Sequence, residues 1–148
     1  MDEDVVIYDC VVDASVGIKL FLSEKGSEQA DKLFDRLAQQ PAIQFYVPDL
    51  FYVECTNILW KYVRSYDYPP ENARQDVADL QALRMQIVST ADLIRPALEL
   101  ALAYDITAYD ASYAALAQQL ELPLVTADMT LARKLHDSAV MVQPLSEI

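Results

Sequence analysis

Residues 106–135 read ITAYDASYAALAQQLELPLVTADMTLARKL and predict a helix, a strand and a second helix in close succession. Ala108–Leu120 is an Ala-rich stretch with the composition of a closely packed helix. Leu122–Thr126 is a short apolar run of strand length, and Met129–Leu135 has helical spacing. A strand that lies between two helices in this way is typical of an α/β fold.

The rest of the chain continues this alternation. Further strands are predicted within Val5–Val12, Ala42–Val47, Gln86–Ser89 and Ala139–Val142, and further helices within Ala14–Leu22, Ser27–Leu37, Asp49–Tyr66, Glu71–Leu83 and Ala91–Tyr104. Since there is no internal repeat and no Gly/Ser-rich linker, residues 1–148 are predicted to form one domain, with 1–7 as an acidic N-terminal extension. We therefore expect a three-layer α/β/α domain with a mainly parallel central sheet, covered by helices on both faces.

Two local details carry structural expectations. Asp9 interrupts the first apolar run, so either the strand is confined to Cys10–Val12 or Asp9 has a partner. In the helix predicted over Asp49–Tyr66, the apolar residues expected to face the core, or nearly so, are Leu50, Val53, Ile58, Leu59 and Trp60.

The composition indicates a globular chain, with 53% hydrophobic and 23% charged residues. No apolar run reaches the roughly 18 residues of a membrane span. The N-terminal stretch MDEDVVIYD carries four acids and no Lys or Arg, opposite to the charge of a signal peptide. We therefore expect a cytoplasmic protein with no membrane segment, in which Cys10 and Cys55 are reduced and buried.

The net charge limits the kinds of chemistry that the chain can perform. A formal charge of −12 argues against nucleic-acid binding through a broad basic surface. A group of carboxylates that binds divalent cations would resolve this conflict, because the cations would in turn hold phosphate. The chain has one His, no Gly-rich phosphate loop and no Gly-x-Ser-x-Gly motif, which disfavours the catalytic schemes built on those features.

Four acids are distinguished by their positions. Asp13 and Asp128 each follow a predicted strand and precede a helix, and Asp110 lies at the start of the Ala-rich helix. Each of these three also suits a helix cap or a first turn, which is the more ordinary role for any one of them alone. Glu54 differs because it lies within an apolar helical stretch, where a buried carboxylate needs a partner or a metal ion.

Polar side chains near these acids are candidates to support them, namely Ser15, Asn57 and Thr126. Asn57 follows Glu54 by about one helical turn and could hydrogen-bond it. Because ligands bind at the carboxyl ends of parallel strands, acids at those ends are the candidates for a shared site. Carboxylate oxygens are the ligands that Mg²⁺ and Mn²⁺ prefer.

Three segments resemble the PIN-domain ribonucleases, and most of all the VapC toxins of bacterial and archaeal toxin–antitoxin pairs. They are VVDASVGIKLFLSE from Val11, VPDLFYVECTNIL from Val47, and the thirty-residue run from Ile106. The likeness extends from about Val11 to the C-terminus, and the third segment is the most specific. Cys55 departs from the pattern, because the family more often has a small or aliphatic residue there.

The resemblance implies a compact PIN-like α/β/α domain whose acidic pocket holds Mg²⁺ or Mn²⁺ and hydrolyses RNA phosphodiester bonds, leaving 5′-phosphate and 3′-hydroxyl ends. The motif acids of the family fall on Asp13, Glu54, Asp110 and Asp128, as catalytic and metal-binding residues. Ser15, Asn57 and Thr126 occupy positions that resemble its supporting polar residues. Members typically form homodimers and bind a cognate antitoxin, which blocks the pocket.

We therefore expect a metal-dependent endoribonuclease, the toxin of a toxin–antitoxin pair. The alternative is a catalytically silent PIN-fold binding module that acts through a protein partner, although retention of all four motif acids counts against it. A phospho-receiver domain is disfavoured because the late strand ends in Thr-Ala-Asp and lacks the expected Lys. Lys19, Arg133 and Lys134 lie near motif acids and could contact phosphates, or could be ordinary surface charges.

Overall fold

The computed structural model describes residues 9–148, so the predicted extension 1–7 and the first residues of the run Val5–Val12 lie outside the described part. The strands of residues 9–148 are β1 (Cys10–Val12), β2 (Phe45–Pro48), β3 (Gln86–Val88), β4 (Leu124–Thr126) and β5 (Val142–Pro144). The α-helices are α1 (Ala14–Gly17), α2 (Ser27–Gln39), α3 (Leu50–Ser65), α4 (Pro70–Ala82), α5 (Ile94–Tyr104), α6 (Ala108–Leu120) and α7 (Met129–Lys134). Short 3-10 helices span Ile18–Leu20, Thr90–Asp92 and Leu145–Glu147.

The five strands form one parallel sheet in the order β3-β2-β1-β4-β5. At its centre, Val11 of β1 is in register with Tyr46 of β2 on one side and with Leu124 of β4 on the other. Every residue of β1 and β4 is buried, and since successive strand residues point to opposite faces, both faces of the sheet are covered. The predicted α/β fold is confirmed, with a sheet that is parallel throughout.

Parallel pairing places all the carboxyl ends of the strands along one edge of the sheet. Asp13 directly follows β1, Asp49 follows β2, and Ala127 and Asp128 follow β4. The chain therefore brings acids from distant parts of the sequence to a single edge, where ligands bind in open α/β sheets.

Helix α3 packs against the core through Phe51, Cys55 and Leu59, which recur every four residues. Its close approach to α1 depends on Gly17, because a Cβ there would lie 2.6 Å from Cζ of Phe51. The expectation that Val53 and Trp60 face the core is wrong: they are 72% and 52% exposed. Val53 lies two residues from both Phe51 and Cys55, which places it on the opposite side of the helix.

Several predicted boundaries also shift. The first helix divides into α1 and a 3-10 turn. Both alternatives for Asp9 hold: β1 is confined to Cys10–Val12, and the Asp9 carboxylate accepts a 2.8 Å hydrogen bond from the Gln44 N–H. The strand predicted over Ala139–Val142 begins instead at Val142, since the Ser138 hydroxyl forms a turn with Leu135 and Val140 before it. Among residues 9–148, no helix has the length and apolarity that crossing a membrane requires.

Candidate active site

Asp13 lies at the carboxyl end of the central strand and begins α1. Its carboxylate accepts hydrogen bonds from the Ser15 hydroxyl at Oδ1 (2.5 Å), from the Thr126 hydroxyl at Oδ2 (2.5 Å), and from the Val16 N–H at Oδ1 (3.3 Å). The residue is only 4% exposed. Asp13 therefore caps a helix, as its position predicts, but it does so as a deeply buried acid with both oxygens held.

Burial raises the pKa of Asp13 from 3.8 to about 6, because the charged form loses its hydration. The hydrogen bonds from Ser15 and Thr126 oppose this shift, and the negative charge of Asp110 adds to it. The carboxylate is thus an anion held in an unfavourable environment, and a nearby cation would stabilise it.

Thr126, at the end of β4, connects Asp13 to the second strand-end acid. It is fully buried, and its hydroxyl donates to Asp13 while accepting the Asp128 N–H at 3.1 Å. The Ser15 hydroxyl in turn accepts the Ala127 N–H at 2.9 Å. The two strand ends therefore share one hydrogen-bond network, in which the Asp128 side chain also caps α7.

Asp110 lies in the first turn of α6 and is half-buried. The Thr107 hydroxyl caps this helix by accepting the Asp110 N–H at 3.1 Å. The pKa of Asp110 is raised by burial and then by the charge of Asp128, while hydrogen bonding to Thr107 and the charge of Lys134 lower it. Asp110 is therefore a first-turn acid, as predicted, and its carboxylate also interacts electrostatically with that of Asp128.

Glu54 projects from α3 and is half-buried. The Tyr113 hydroxyl, on α6, donates a hydrogen bond of 2.8 Å to its Oε1. The pKa of Glu54 is raised by burial, lowered by this hydrogen bond and raised again by the charge of Asp110. The expected hydrogen bond from Asn57 is not formed, because Asn57 is exposed and Tyr113 is the partner instead.

Sequence reasoning missed Tyr113 as a residue of this site. The available signal was its place in the Ala-rich run, where it lies one helical turn after Asp110. Burial, and the charge and hydrogen bond of Glu54, raise the pKa of the Tyr113 phenol well above its usual range.

The predicted residues are brought together to different degrees. Hydrogen bonds join Asp13 and Asp128 through their supporting hydroxyls, whereas Asp110 interacts with Asp13, Glu54 and Asp128 through charge. Asn57 lies outside this arrangement, on the exposed surface of α3.

The donor chemistry of the site fits Mg²⁺ or Mn²⁺. Its oxygen donors include four carboxylates. Burial together with neighbouring negative charge raises the pKa of Asp13, Glu54 and Asp110, which disfavours their charged forms, and a bound cation would offset this effect. Within residues 9–148, no three His, Cys, Asp or Glu side chains are gathered closely enough to enclose a metal ion. Mg²⁺ does not require such an enclosure, because it commonly takes one or two carboxylates and completes its shell with water and substrate phosphate.

The candidate phosphate-binding cations have protein partners. Lys134 donates to the Asp105 carbonyl at 2.7 Å, and it is the cation that lowers the pKa of Asp110. Lys19 forms an ion pair of 2.8 Å with Glu24. Arg133 contacts the Thr130 hydroxyl at 3.3 Å.

Comparison with known proteins places these features in a family. The PIN domain family model matches residues 10–135, which include all four acids. Ribonuclease VapC3 of Pyrobaculum aerophilum is 34% identical over 126 residues, covering 84% of this chain and 92% of that protein.

Solved structures share the fold. A toxin–antitoxin complex from Klebsiella pneumoniae matches with a TM-score of 0.64 at 20% identity, over 95% of this chain and 100% of that chain. VapC20 of Mycobacterium tuberculosis, a toxin that cleaves the sarcin-ricin loop, matches with a TM-score of 0.64 at 16% identity, over 84% and 94%. At these identities the likeness is one of fold alone.

Proposed function

Because this chain belongs to the PIN domain family, we propose that it is a metal-dependent endoribonuclease and the toxin of a toxin–antitoxin pair. The observation that carries the proposal is the buried Asp13 carboxylate, whose two oxygens are held by Ser15 and Thr126 while the charge of Asp110 acts on it. The similarity to a ribonuclease over most of both chains supports RNA as the substrate.

In this proposal the ion is Mg²⁺ or Mn²⁺. Its protein ligands come from among the carboxylates of Asp13, Glu54, Asp110 and Asp128, with water and substrate phosphate completing its shell. When bound, the ion would supply a water of lowered pKa and would stabilise charge on a phosphate oxygen. Ser15 and Thr126 hold the Asp13 carboxylate in one orientation. Asn57 is exposed on α3 and takes no part in holding these acids.

The net negative charge of the protein favours RNA contacts that are confined to the surroundings of the ion. With a net charge of −12, phosphate contacts must be few and close to the ion. Lys134 is the best placed of the candidate cations, since its charge already acts on Asp110 and its side chain is 40% exposed. An RNA phosphate would replace part of its present contact with Asp105.

The proposed partners are a cognate antitoxin and a second copy of the chain. An acidic site is best blocked by a basic side chain, which would pair with the carboxylates. The toxin–antitoxin complex among the structural neighbours supports such a partner.

For the homodimer, the supporting feature is an exposed apolar stripe on α5 with helical spacing, formed by Ile94, Leu98 and Leu102. Light scattering of the purified chain, compared with a Leu98→Glu variant, tests the dimer.

The activity is tested by incubating the purified protein with total RNA and Mn²⁺, with and without EDTA. We expect endonucleolytic cleavage that EDTA abolishes and that Asp13→Asn reduces by at least about 100-fold. Asp49→Asn is the matched control, because Asp49 also follows a strand and precedes a helix, but it is exposed and bonded to Thr90. Full cleavage by Asp13→Asn would contradict the assignment. Absence of cleavage by the unaltered protein would favour the silent binding module.

A further inference from the structure

Tyr113 joins α6 to α3 at the candidate active site. Its hydroxyl donates a 2.8 Å hydrogen bond to Oε1 of Glu54, 59 positions away in the chain. The residue is 1% exposed, so its ring is enclosed in the core while its hydroxyl reaches one oxygen of one acid. Because Tyr113 lies one helical turn after Asp110, the same helix carries one acid of the site, Asp110, and the hydrogen-bond donor to a second acid, Glu54.

The Glu54 carboxylate depends on this donor for its orientation. Within residues 9–148, the Tyr113 hydroxyl provides the only hydrogen bond that the Glu54 side chain forms. The charge of Asp110 repels it. Asp13, in contrast, is held at both oxygens by two hydroxyls. Without the phenol, a flexible Glu side chain would be free to turn away from the other acids and towards solvent.

We propose that Tyr113 is a positioning residue, which holds Oε1 of Glu54 so that the carboxylate stays directed at the divalent ion. This inference rests on the proposed function. The physical basis is general: a group that hydrogen-bonds a metal ligand fixes the orientation of that ligand, and its loss weakens metal binding.

Tyr113→Phe removes the hydroxyl and keeps the ring that packs in the core. We expect the dissociation constant for Mn²⁺ alone, measured by electron paramagnetic resonance or calorimetry, to rise about 10- to 100-fold. The metal concentration at half-maximal cleavage should rise by a similar factor. In a Glu54→Ala background, Tyr113→Phe should add no further loss, because the carboxylate that it orients is absent.

Tyr68→Phe is the matched control. The Tyr68 hydroxyl also donates to a carboxylate, that of Asp76 on α4, which is not one of the acids of the site. We expect Tyr68→Phe to bind Mn²⁺ as the unaltered protein does. Its change in melting temperature should be comparable to that of Tyr113→Phe. Equal Mn²⁺ affinity for Tyr113→Phe and the unaltered protein would overturn the positioning role. An equal loss of Mn²⁺ affinity in Tyr113→Phe and Tyr68→Phe would also overturn it.

The failure of this inference is distinguishable from failure of the proposed function. If Mn²⁺ affinity is unchanged in Tyr113→Phe while the unaltered protein cleaves RNA and Asp13→Asn does not, only the positioning role is wrong. If the unaltered protein neither binds Mn²⁺ nor cleaves RNA, both are wrong.

A measurement on the unaltered chain keeps the inference testable if Tyr113→Phe does not fold. With ¹³C at the tyrosine Cζ positions, Mn²⁺ should broaden the Tyr113 signal at concentrations that leave the Tyr68 signal sharp. Equal broadening of the two signals would overturn the inference.

Discussion

The hydroxyl of Thr126 donates a hydrogen bond to Oδ2 of Asp13, joining the ends of two adjacent parallel strands through residues 113 positions apart. Asp13 is 4% exposed and Thr126 is fully buried. The bond therefore lies at the base of the acidic site, where water cannot replace it.

Thr126→Val tests this relationship, because it keeps the shape of the side chain and removes the hydroxyl. We expect the free energy of unfolding at pH 7 to fall by about 1–3 kcal/mol, since a buried carboxylate oxygen loses its donor. Urea denaturation provides the measurement. Thr130→Val, on the exposed surface of α7, is the control and should change stability by less than about 0.5 kcal/mol. Similar values for the two variants would contradict the structural role of Thr126.

The raised pKa of Asp13 predicts a pH dependence of stability. Because burial raises the pKa from 3.8 to about 6, the folded state binds the proton more tightly than the unfolded state does. The stabilising contribution of the protonated acid is complete below pH 3.8 and is lost as the pH rises through about 6. The shift corresponds to about 3 kcal/mol. Asp13→Asn removes this titration.

Urea denaturation in EDTA between pH 4 and pH 8 measures this contribution. The stability of the unaltered protein, relative to that of Asp13→Asn, should fall by up to about 3 kcal/mol across that range. The raised pKa values of Glu54 and Asp110 act in the same direction but are common to both proteins. Parallel pH profiles for the two proteins would show that Asp13 titrates normally.

A bound divalent cation should stabilise the folded protein. An ion that binds only the folded state at 100 times its dissociation constant adds about 2.7 kcal/mol to the free energy of unfolding. We expect Mn²⁺ to raise the melting temperature of the unaltered protein and of Asp49→Asn, but not that of Asp13→Asn. Differential scanning fluorimetry with matched EDTA samples measures the shift. An equal rise in all three proteins would indicate that the ion binds elsewhere.

The contact between α1 and α3 predicts the effect of a single methyl group. In Gly17→Ala the new Cβ would lie 2.6 Å from Cζ of Phe51, so either the buried Phe51 ring or one of the helices must move. We expect a loss of about 1–3 kcal/mol of stability, which is typical of an overpacked core. Phe51→Leu should recover part of this loss in the Gly17→Ala background while destabilising the unaltered protein. If Phe51→Leu is equally destabilising in the unaltered protein and in Gly17→Ala, the contact with Phe51 is not the cause of the stability loss in Gly17→Ala.

Features that depend on residues close in the chain were predictable from the sequence. The bounds of Ala108–Leu120 are confirmed, because apolar spacing and a Thr cap are local properties. The alternation of strands and helices predicted the parallel α/β sheet, and parallel pairing places Asp13 and Asp128 at the same edge. Both acids also cap the helices that follow them, as their positions indicate.

Features that depend on how distant elements pack required the tertiary structure. Periodicity alone did not show that Val53 and Trp60 face solvent, because the side of α3 that is buried depends on what α1 and the sheet present to it. Nor did it show that Tyr113, and not Asn57, is the partner of Glu54. Local spacing places a residue on a helix or at a strand end, whereas a hydrogen bond across the core exists only once two elements have a fixed separation and rotation.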